Sequence, residues 1–273
     1  MLYQKTIKQP CHISGIGLHS GQKVSMTLLP APENTGITSI RTDQKMAQIP
    51  VNINSIHSTK RATILQKNNC QIITPEHFLA VLSVLGIDNL RIEINAPELP
   101  IKDGSSKAFL EIIQKNGIQK LKAEKKVLKI QTPYLIQENN ISLMVLPEET
   151  YKITFIIEYP DSFIGTQIHS FEINESVFSK EIAAARTYGF YQEIETLKQK
   201  GLIKGGSLDN ALVIKDNGYL NKLRYPDELV RHKILDLIGD LSLLATPVIG
   251  HFIGIKSGHA LNMQMVKKLN DLA

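Results

Sequence analysis

The sequence predicts an α+β protein made of two related halves. The first observation is an order of elements that occurs twice. Glu76-His77 opens an apolar helix that runs to Leu85; a strand over 89–94, the turn Lys102-Asp103-Gly104-Ser105 and a helix from about Lys107 follow it. Arg231-His232 heads a second apolar helix that runs to about Leu244; a strand through Ile249 to Ile255, the turn Lys256-Ser257-Gly258-His259 and a terminal helix follow it. His77 lies 27 positions before Gly104, and His232 lies 26 before Gly258. The second observation is a strand pattern in each half. Val24, Met26 and Leu28 alternate with polar residues, as a half-buried strand does, and the segment from Tyr151 to Tyr159 is rich in β-branched and aromatic residues. The third is the run Gln119-Lys120-Leu121-Lys122-Ala123-Glu124-Lys125-Lys126, the most polar near the middle, which suits a domain boundary. Domains are expected at 1–122 and 127–273. An ancient duplication explains the repeat, and coincidence between two ordinary segments is the competing explanation. Two such halves packed face to face bring His77 and His232 together.

The individual elements carry their own signals. Thr74 can cap the first helix, and Pro75 suits its first position, where the missing N–H costs nothing. Glu76 and His77 then occupy the first turn, beside the positive end of the helix dipole. Leu, Ile and Lys dominate 231–240 and favour a helix there. Two segments read as insertions. Residues 34–58, with Gly36 and Pro50, show short strand patterns and few helix formers. Residues 160–219 combine a strand, a helix around 180–185, Ala185-Arg186-Thr187-Tyr188-Gly189-Phe190 and Lys204-Gly205-Gly206-Ser207. Phe163, Tyr188, Phe190, Tyr191, Leu197, Leu202 and Ile203 make this second insert apolar. A small satellite core accounts for that, and a wall for a greasy ligand is the functional alternative.

Composition narrows the function classes. The 273 residues suit one large domain or two ordinary ones, and 42% hydrophobic content can build real cores. No run of eighteen apolar residues indicates a membrane span, and the N-terminus lacks the apolar centre of a signal peptide. Cys11 and Cys70 make neither a metal motif nor a disulfide framework, so free structural thiols in a reducing cytosol are expected. The net charge of +5 favours an anionic partner. Nucleic acid is one such partner, yet the lysines are scattered, Trp is absent, and no basic run is interleaved with aromatics. A phosphate-bearing small molecule accounts for the charge as well.

The chemistry concentrates on two helices. His232 and Asp236 stand four apart, hence on one helix face, and Asp240 follows a turn later. Apolar residues at 234, 235, 237, 238 and 241 say that this helix is largely buried. Buried carboxylates are costly unless they are paired or bind metal. With His77 as third ligand and Glu76 nearby, the set suits a catalytic zinc, which keeps one position open for water. A hydrogen-bonded core histidine or a solvated ion pair is the plainer explanation of the His-Asp pair alone.

Five segments together resemble the UDP-3-O-acyl-N-acetylglucosamine deacetylases, the zinc enzymes of lipid A biosynthesis. They are Gly15-Ile16-Gly17-Leu18-His19-Ser20-Gly21; Thr74-Pro75-Glu76-His77; Gly86-Ile87-Asp88-Asn89 through Asn95-Ala96-Pro97-Glu98-Leu99-Pro100-Ile101-Lys102-Asp103-Gly104-Ser105; Ala185-Arg186-Thr187-Tyr188-Gly189-Phe190 with Gly205-Gly206-Ser207; and Val230-Arg231-His232-Lys233 to Asp240 with Lys256-Ser257-Gly258-His259-Ala260-Leu261-Asn262. They span nearly the whole chain in order. The departures are Tyr188, where the family often has Phe, Pro226 before the metal helix, and a short C-terminus. The resemblance implies a β-α-α-β sandwich in which two helices from each half lie between two sheets. Each half carries its own insert, the second forming an acyl-chain passage. It further implies zinc held by His77, His232 and Asp236, with Glu76 as general base and His259 as general acid. Asp240 would orient His259, Thr187 would hydrogen-bond the oxyanion, and Lys233 would place positive charge near the substrate. The reaction implied is removal of the N-acetyl group from UDP-3-O-(3-hydroxyacyl)-N-acetylglucosamine. A cytoplasmic monomer with a small-molecule, UDP-linked substrate and no nucleic-acid partner is therefore expected. His12, His57, His169 and His251 have no motif and are expected to be structural or exposed, and His19 has no assigned chemistry. Two other classes stay open: a zinc amidase for another substrate, and a basic binding module with an incidental His cluster.

Overall fold

The computed structural model describes residues 2–59 and 61–272. Among them, six helices occur: α1 (Glu76–Leu85), α2 (Lys107–Asn116), α3 (Glu175–Val177), α4 (Ile194–Gln199), α5 (Glu228–Leu241) and α6 (His259–Asn270). The two large sheets share one plan. In the first, the spatial order is Cys11–Ile16, Lys23–Pro30, Leu90–Ile94, Ile37–Arg41, Ala47–Pro50. In the second it is Tyr134–Glu138, Ile141–Leu146, Val248–Ile255, Tyr151–Tyr159, Gly165–Glu172. Each begins with an antiparallel hairpin, and the strand that follows α1 or α5 takes the central place. That central strand runs antiparallel to the hairpin and parallel to its other neighbour in both sheets.

Burial shows where the helices lie. Lys23–Pro30 buries Val24, Met26 and Leu28 and leaves the alternate residues partly open. Val248–Ile255 likewise buries every second residue, from Val248 through Phe252 to Gly254. A strand with one covered face covers it with helices or another sheet. Here α2 packs on the first sheet, α5 and α6 pack on the second, and α1 packs on α5. The architecture is the expected α+β sandwich with helices inside. One contiguous apolar core unites both sides.

Helix α5 lies at the centre: every residue except Lys233 is buried. Gly239 explains how closely α1 approaches it. A Cβ at this position would overlap the carbonyl oxygen of Glu76, so only glycine lets the first turn of α1 press against α5. That contact sets Glu76 and His77 against Asp236 and Asp240. Gly239→Ala is therefore expected to lower stability by about 1–3 kcal/mol, the usual cost of overpacking. It should also reduce bound metal; a thermal melt and a metal analysis check both, and normal metal content would show that the crossing does not set the site.

Some local expectations need correction. Thr74 does not cap α1: it stands at φ 57° and its hydroxyl donates to Glu98 Oε1 at 3.3 Å, while Pro75 takes the cap position. A buried carboxylate across the fold outcompetes the local cap. Residues 34–58 do not stand apart as an insert. Ile37–Arg41 and Ala47–Pro50 belong to the first large sheet, and the separate small sheet comprises Ile56–Ser58, Ile64–Lys67 and Cys70–Ile73. Short strands with irregular alternation look alike whether they sit at a sheet's edge or in an appendage. Gly165–Glu172 similarly extends the second large sheet. The helix expected at 180–185 is α3 followed by a π-helical turn, Phe178–Ile182. Overlapping the polar stretch at 119–126, Ile118–Glu124 forms a strand antiparallel to Tyr3–Ile7.

Candidate active site

His77 at the start of α1 and His232 and Asp236 on α5 converge, with one ligand atom of each within 4.8 Å of the others. Among the described residues, no other group of three such side chains is so placed. Asp236 Oδ1 lies 3.3 Å from His232 Nε2 and 3.6 Å from His77 Nε2. The two rings stand edge to face, 4.9 Å between centroids. All three side chains are buried.

The partners around this group decide its chemistry. His232 Nδ1 donates to the Ala185 carbonyl at 3.0 Å. A carbonyl only accepts, so the neutral ring carries its lone pair on Nε2, towards Asp236. Burial, reinforced by His77 and Lys233, lowers the His232 pKa to about 4 despite the pull of Asp236, so this ring is neutral at pH 7. Asp236 moves the other way. Burial alone would raise its pKa, but His232, Lys233 and His77 hold it well below the ordinary carboxylate value. Lys233 Nζ donates to Asp236 Oδ2 at 2.9 Å, which leaves Oδ1 facing the two Nε2 atoms. Two imidazole nitrogens and one ionised carboxylate oxygen form a donor set that suits a divalent metal.

Glu76 and His259 flank this group. Glu76 is buried, Oε2 has no hydrogen-bond partner, and burial pushes its pKa up to about 7 against His259 and His77. An unpartnered buried carboxylate oxygen beside a donor set is the mark of a group that handles a ligand or a proton. His259 Nε2 lies 3.7 Å from Glu76 Oε1, and its Nδ1 donates to Asp240 Oδ2 at 2.7 Å. Burial favours the neutral His259 ring, yet Asp240, then Glu76 and Asp236, outweigh it and raise its pKa to about 9.

A cavity of about 680 Å³ opens on these residues. Its polar end holds Glu76, His77, Thr187, His232, Lys233, Asp236 and His259, with His19 and Thr74 beside them. Its remaining wall is mostly apolar: Tyr188, Phe190, Ile194, Leu197, Ile203 and Val213 from the second insert, and Leu220 just after it. Thr187 is anchored by its N–H to Gly104 O and by its carbonyl to Leu212 N–H, both at 2.8 Å. The Tyr188 hydroxyl shares a hydrogen bond with that of Tyr159 at 3.1 Å.

Every sequence-predicted site residue thus faces or adjoins one cavity, with Asp240 behind His259. His169 and His251 bond elsewhere, to Asp227 and Thr154, and His12 and His57 are exposed. Sequence reasoning missed four supporting groups. Thr63 and Asn262 both donate to Asp240, at 2.7 and 2.8 Å. Buried Glu98 accepts the His19 and Ser20 N–H groups at 2.8 and 2.7 Å and so fixes His19 at the cavity, where its Nδ1 is buried without a partner. Glu228 in the first turn of α5 accepts from Arg186 Nε at 2.8 Å and from the Arg186 N–H at 3.0 Å, tying the Ala185–Thr187 segment to α5. Only a charged residue on a buried helix turn, Glu228, carried a signal that could have been read.

Two imidazoles and a carboxylate, flanked by a buried Glu76 and by His259 on a half-apolar cavity, have the layout of a metal-assisted hydrolase. Comparison with known proteins agrees. A model of the family UDP-3-O-acyl N-acetylglycosamine deacetylase matches residues 4–271. A protein of Coxiella burnetii (strain CbuK_Q154) is 44% identical over 98% of this chain and 90% of its own length. One of Syntrophotalea carbinolica is 43% identical over 98% and 88%, and one of Legionella pneumophila (strain Corby) is 44% identical over 98% and 90%. All three bear the name UDP-3-O-acyl-N-acetylglucosamine deacetylase. The chain belongs to the UDP-3-O-acyl N-acetylglycosamine deacetylase family.

Proposed function

We propose that this protein is a zinc-dependent deacetylase of lipid A biosynthesis, removing the N-acetyl group from UDP-3-O-(3-hydroxyacyl)-N-acetylglucosamine. The single observation that carries the reading is the cavity itself, which joins the His77–His232–Asp236 group to a long apolar wall. Family membership argues against a basic binding module with an incidental His cluster.

His77, His232 and Asp236 would hold the zinc. Zinc at such a site supplies Lewis acidity, which polarises a carbonyl and makes a water acidic near neutral pH. The rest is the work of the chain. Glu76, with its unpartnered Oε2, takes a proton from the attacking water as the carbonyl carbon becomes tetrahedral. Thr187 and Lys233 line the cavity, and their hydroxyl and ammonium would stabilise the negative charge that develops. His259, charged at neutral pH, gives its Nε2 proton to the leaving amine as the C–N bond breaks, and Asp240 holds its Nδ1. The products are acetate and the free amine. The halves divide this labour: 1–122 supply Glu76 and His77, and 127–273 supply the other groups. The same reading expects a cytoplasmic monomer. The buried, unlinked thiols of Cys11 and Cys70 suit a reducing compartment. Among the described residues, no helix is long and apolar enough to cross a membrane.

The test is metal analysis paired with a deacetylation assay. About one zinc per chain is expected, as three protein ligands imply. His77→Ala, His232→Ala and Asp236→Ala should each reduce metal content while the fold survives. Normal zinc in all three variants rejects the ligand set.

A further inference from the structure

Asp240 is fully buried, and three donors take the place of water at its carboxylate. Thr63 Oγ1 donates to Oδ1 at 2.7 Å. Asn262 Nδ2 and His259 Nδ1 donate to Oδ2 at 2.8 and 2.7 Å. The two neutral donors are themselves held. Thr63 is fully buried, and its carbonyl accepts the Thr74 N–H at 3.1 Å. The Asn262 carbonyl oxygen accepts from Ser257 Oγ at 3.1 Å, so its amide nitrogen stays turned to Asp240. Thr63 lies just before the strand Ile64–Lys67 of the small sheet in the first half, and Asn262 lies on α6 of the second. Between them they clamp a carboxylate of α5.

The geometry assigns Thr63, seconded by Asn262, as a positioning residue that aims Asp240 at His259 and limits how strongly Asp240 grips the His259 proton. The inference rests on His259 as the acid of the proposed reaction. Hydrogen bonds to a carboxylate stabilise its ionised form and weaken it as a base. Without the Thr63 hydroxyl, Oδ1 is buried with no donor, a costly state. Asp240 then draws the imidazolium proton harder, and His259 becomes a poorer acid.

The sign can be worked out from the groups that face His259. Asp240 and Asp236 approach from α5, Glu76 from α1, and the neutral Thr63 hydroxyl lies 3.4 Å from Nδ1. These three carboxylates outweigh burial and raise the ring to about 9, while Lys233, which also lines the cavity, is paired with Asp236. An acid with that pKa is protonated at pH 7, so the rate falls as pH rises through the limb. Removing the charge of Asp240 must move this limb down. Removing the Thr63 hydroxyl must move it up.

The test measures pH–rate profiles and the His259 ring titration by NMR, on the metal-loaded protein and its Thr63→Val, Thr63→Ser and Asp240→Asn variants. Thr63→Val should raise the ring midpoint by about half a unit to one unit, the size of one net hydrogen bond, and lower the plateau rate several-fold. Thr63→Ser restores both, and Asp240→Asn lowers the midpoint. Should Thr63→Val fail to fold, Asn262→Leu removes the other neutral donor and is expected to shift the ring in the same direction. An unmoved or lowered midpoint in a folded, metal-bound donor-deleted variant overturns the assignment, because a merely structural role changes stability and rate without shifting the titration upward. If His259→Ala leaves the alkaline limb in place, the acid role itself fails. The ring titration still reads the effect of Thr63 in that case.

Discussion

Glu76→Gln is expected to cut turnover by ~10²–10⁴, the usual worth of general acid–base catalysis, while zinc stays bound. The substitution keeps the side chain's volume and its place beside His77, so the packing of α1 on α5 is preserved. It removes only the capacity to take a proton. In the proposed mechanism this role is distinct from coordination. Glu76 has a carboxylate oxygen without a partner and a pKa pushed up to about 7, whereas Asp236 is held ionised by His232 and Lys233. A base poised near the working pH is where proton transfer is most effective. If the variant loses metal, and recovers activity when zinc is added, Glu76 is a ligand and the base must be sought elsewhere.

An equally large loss is expected on removing the 3-O-acyl chain from the substrate. Phe190, Ile194, Leu197, Ile203, Val213 and Leu220 give the cavity an apolar wall far larger than an acetamide needs. Each methylene buried there contributes up to ~0.8 kcal/mol, so a long chain accounts for several orders of magnitude in kcat/KM. Binding energy from such a remote group also positions the reacting amide, so kcat should fall too. UDP-N-acetylglucosamine is the decisive comparison, since it keeps the diphosphate and the acetamide. If it is hydrolysed as fast as the acylated nucleotide, the wall is a satellite core. The protein would then be a general sugar deacetylase with the same zinc chemistry.

How much of this was legible depended on sequence separation. His232 and Asp236 share a helix face at a spacing of four, and Glu76 and His77 are adjacent in a first turn. Such relations are properties of a local helix and can be read from a few residues. The apolar character of α1 and α5 was equally local, which is why their burial, and the need of their carboxylates for partners, could be foreseen. The repeated helix–strand–turn–helix order showed the two halves, and both sheets bear it out by placing the late strand at the centre. Edges were less legible. Ile37–Arg41 and Gly165–Glu172 are short or only half covered, and nothing within them distinguishes a sheet's outer strand from an appendage. Thr74 has the composition of a helix cap, but a distant Glu98 claims its hydroxyl.

The sequence by itself therefore determined which residue types could carry the chemistry and on which helices they sit, because helical spacing converts directly into shared faces. Only the tertiary structure decided how those residues work together. Thr63 reaches Asp240 across 177 positions, and Arg61 pairs with Glu193 across 132 at the cavity's edge. Lys233 turned out to secure Asp236 Oδ2 as well as to face the cavity. Contacts of this kind exist only once the halves have packed, and the packing distance hangs on one missing side chain, at Gly239. No local propensity encodes it: Gly239 disfavours its own helix, and its role appears only when the carbonyl of Glu76 arrives beside it.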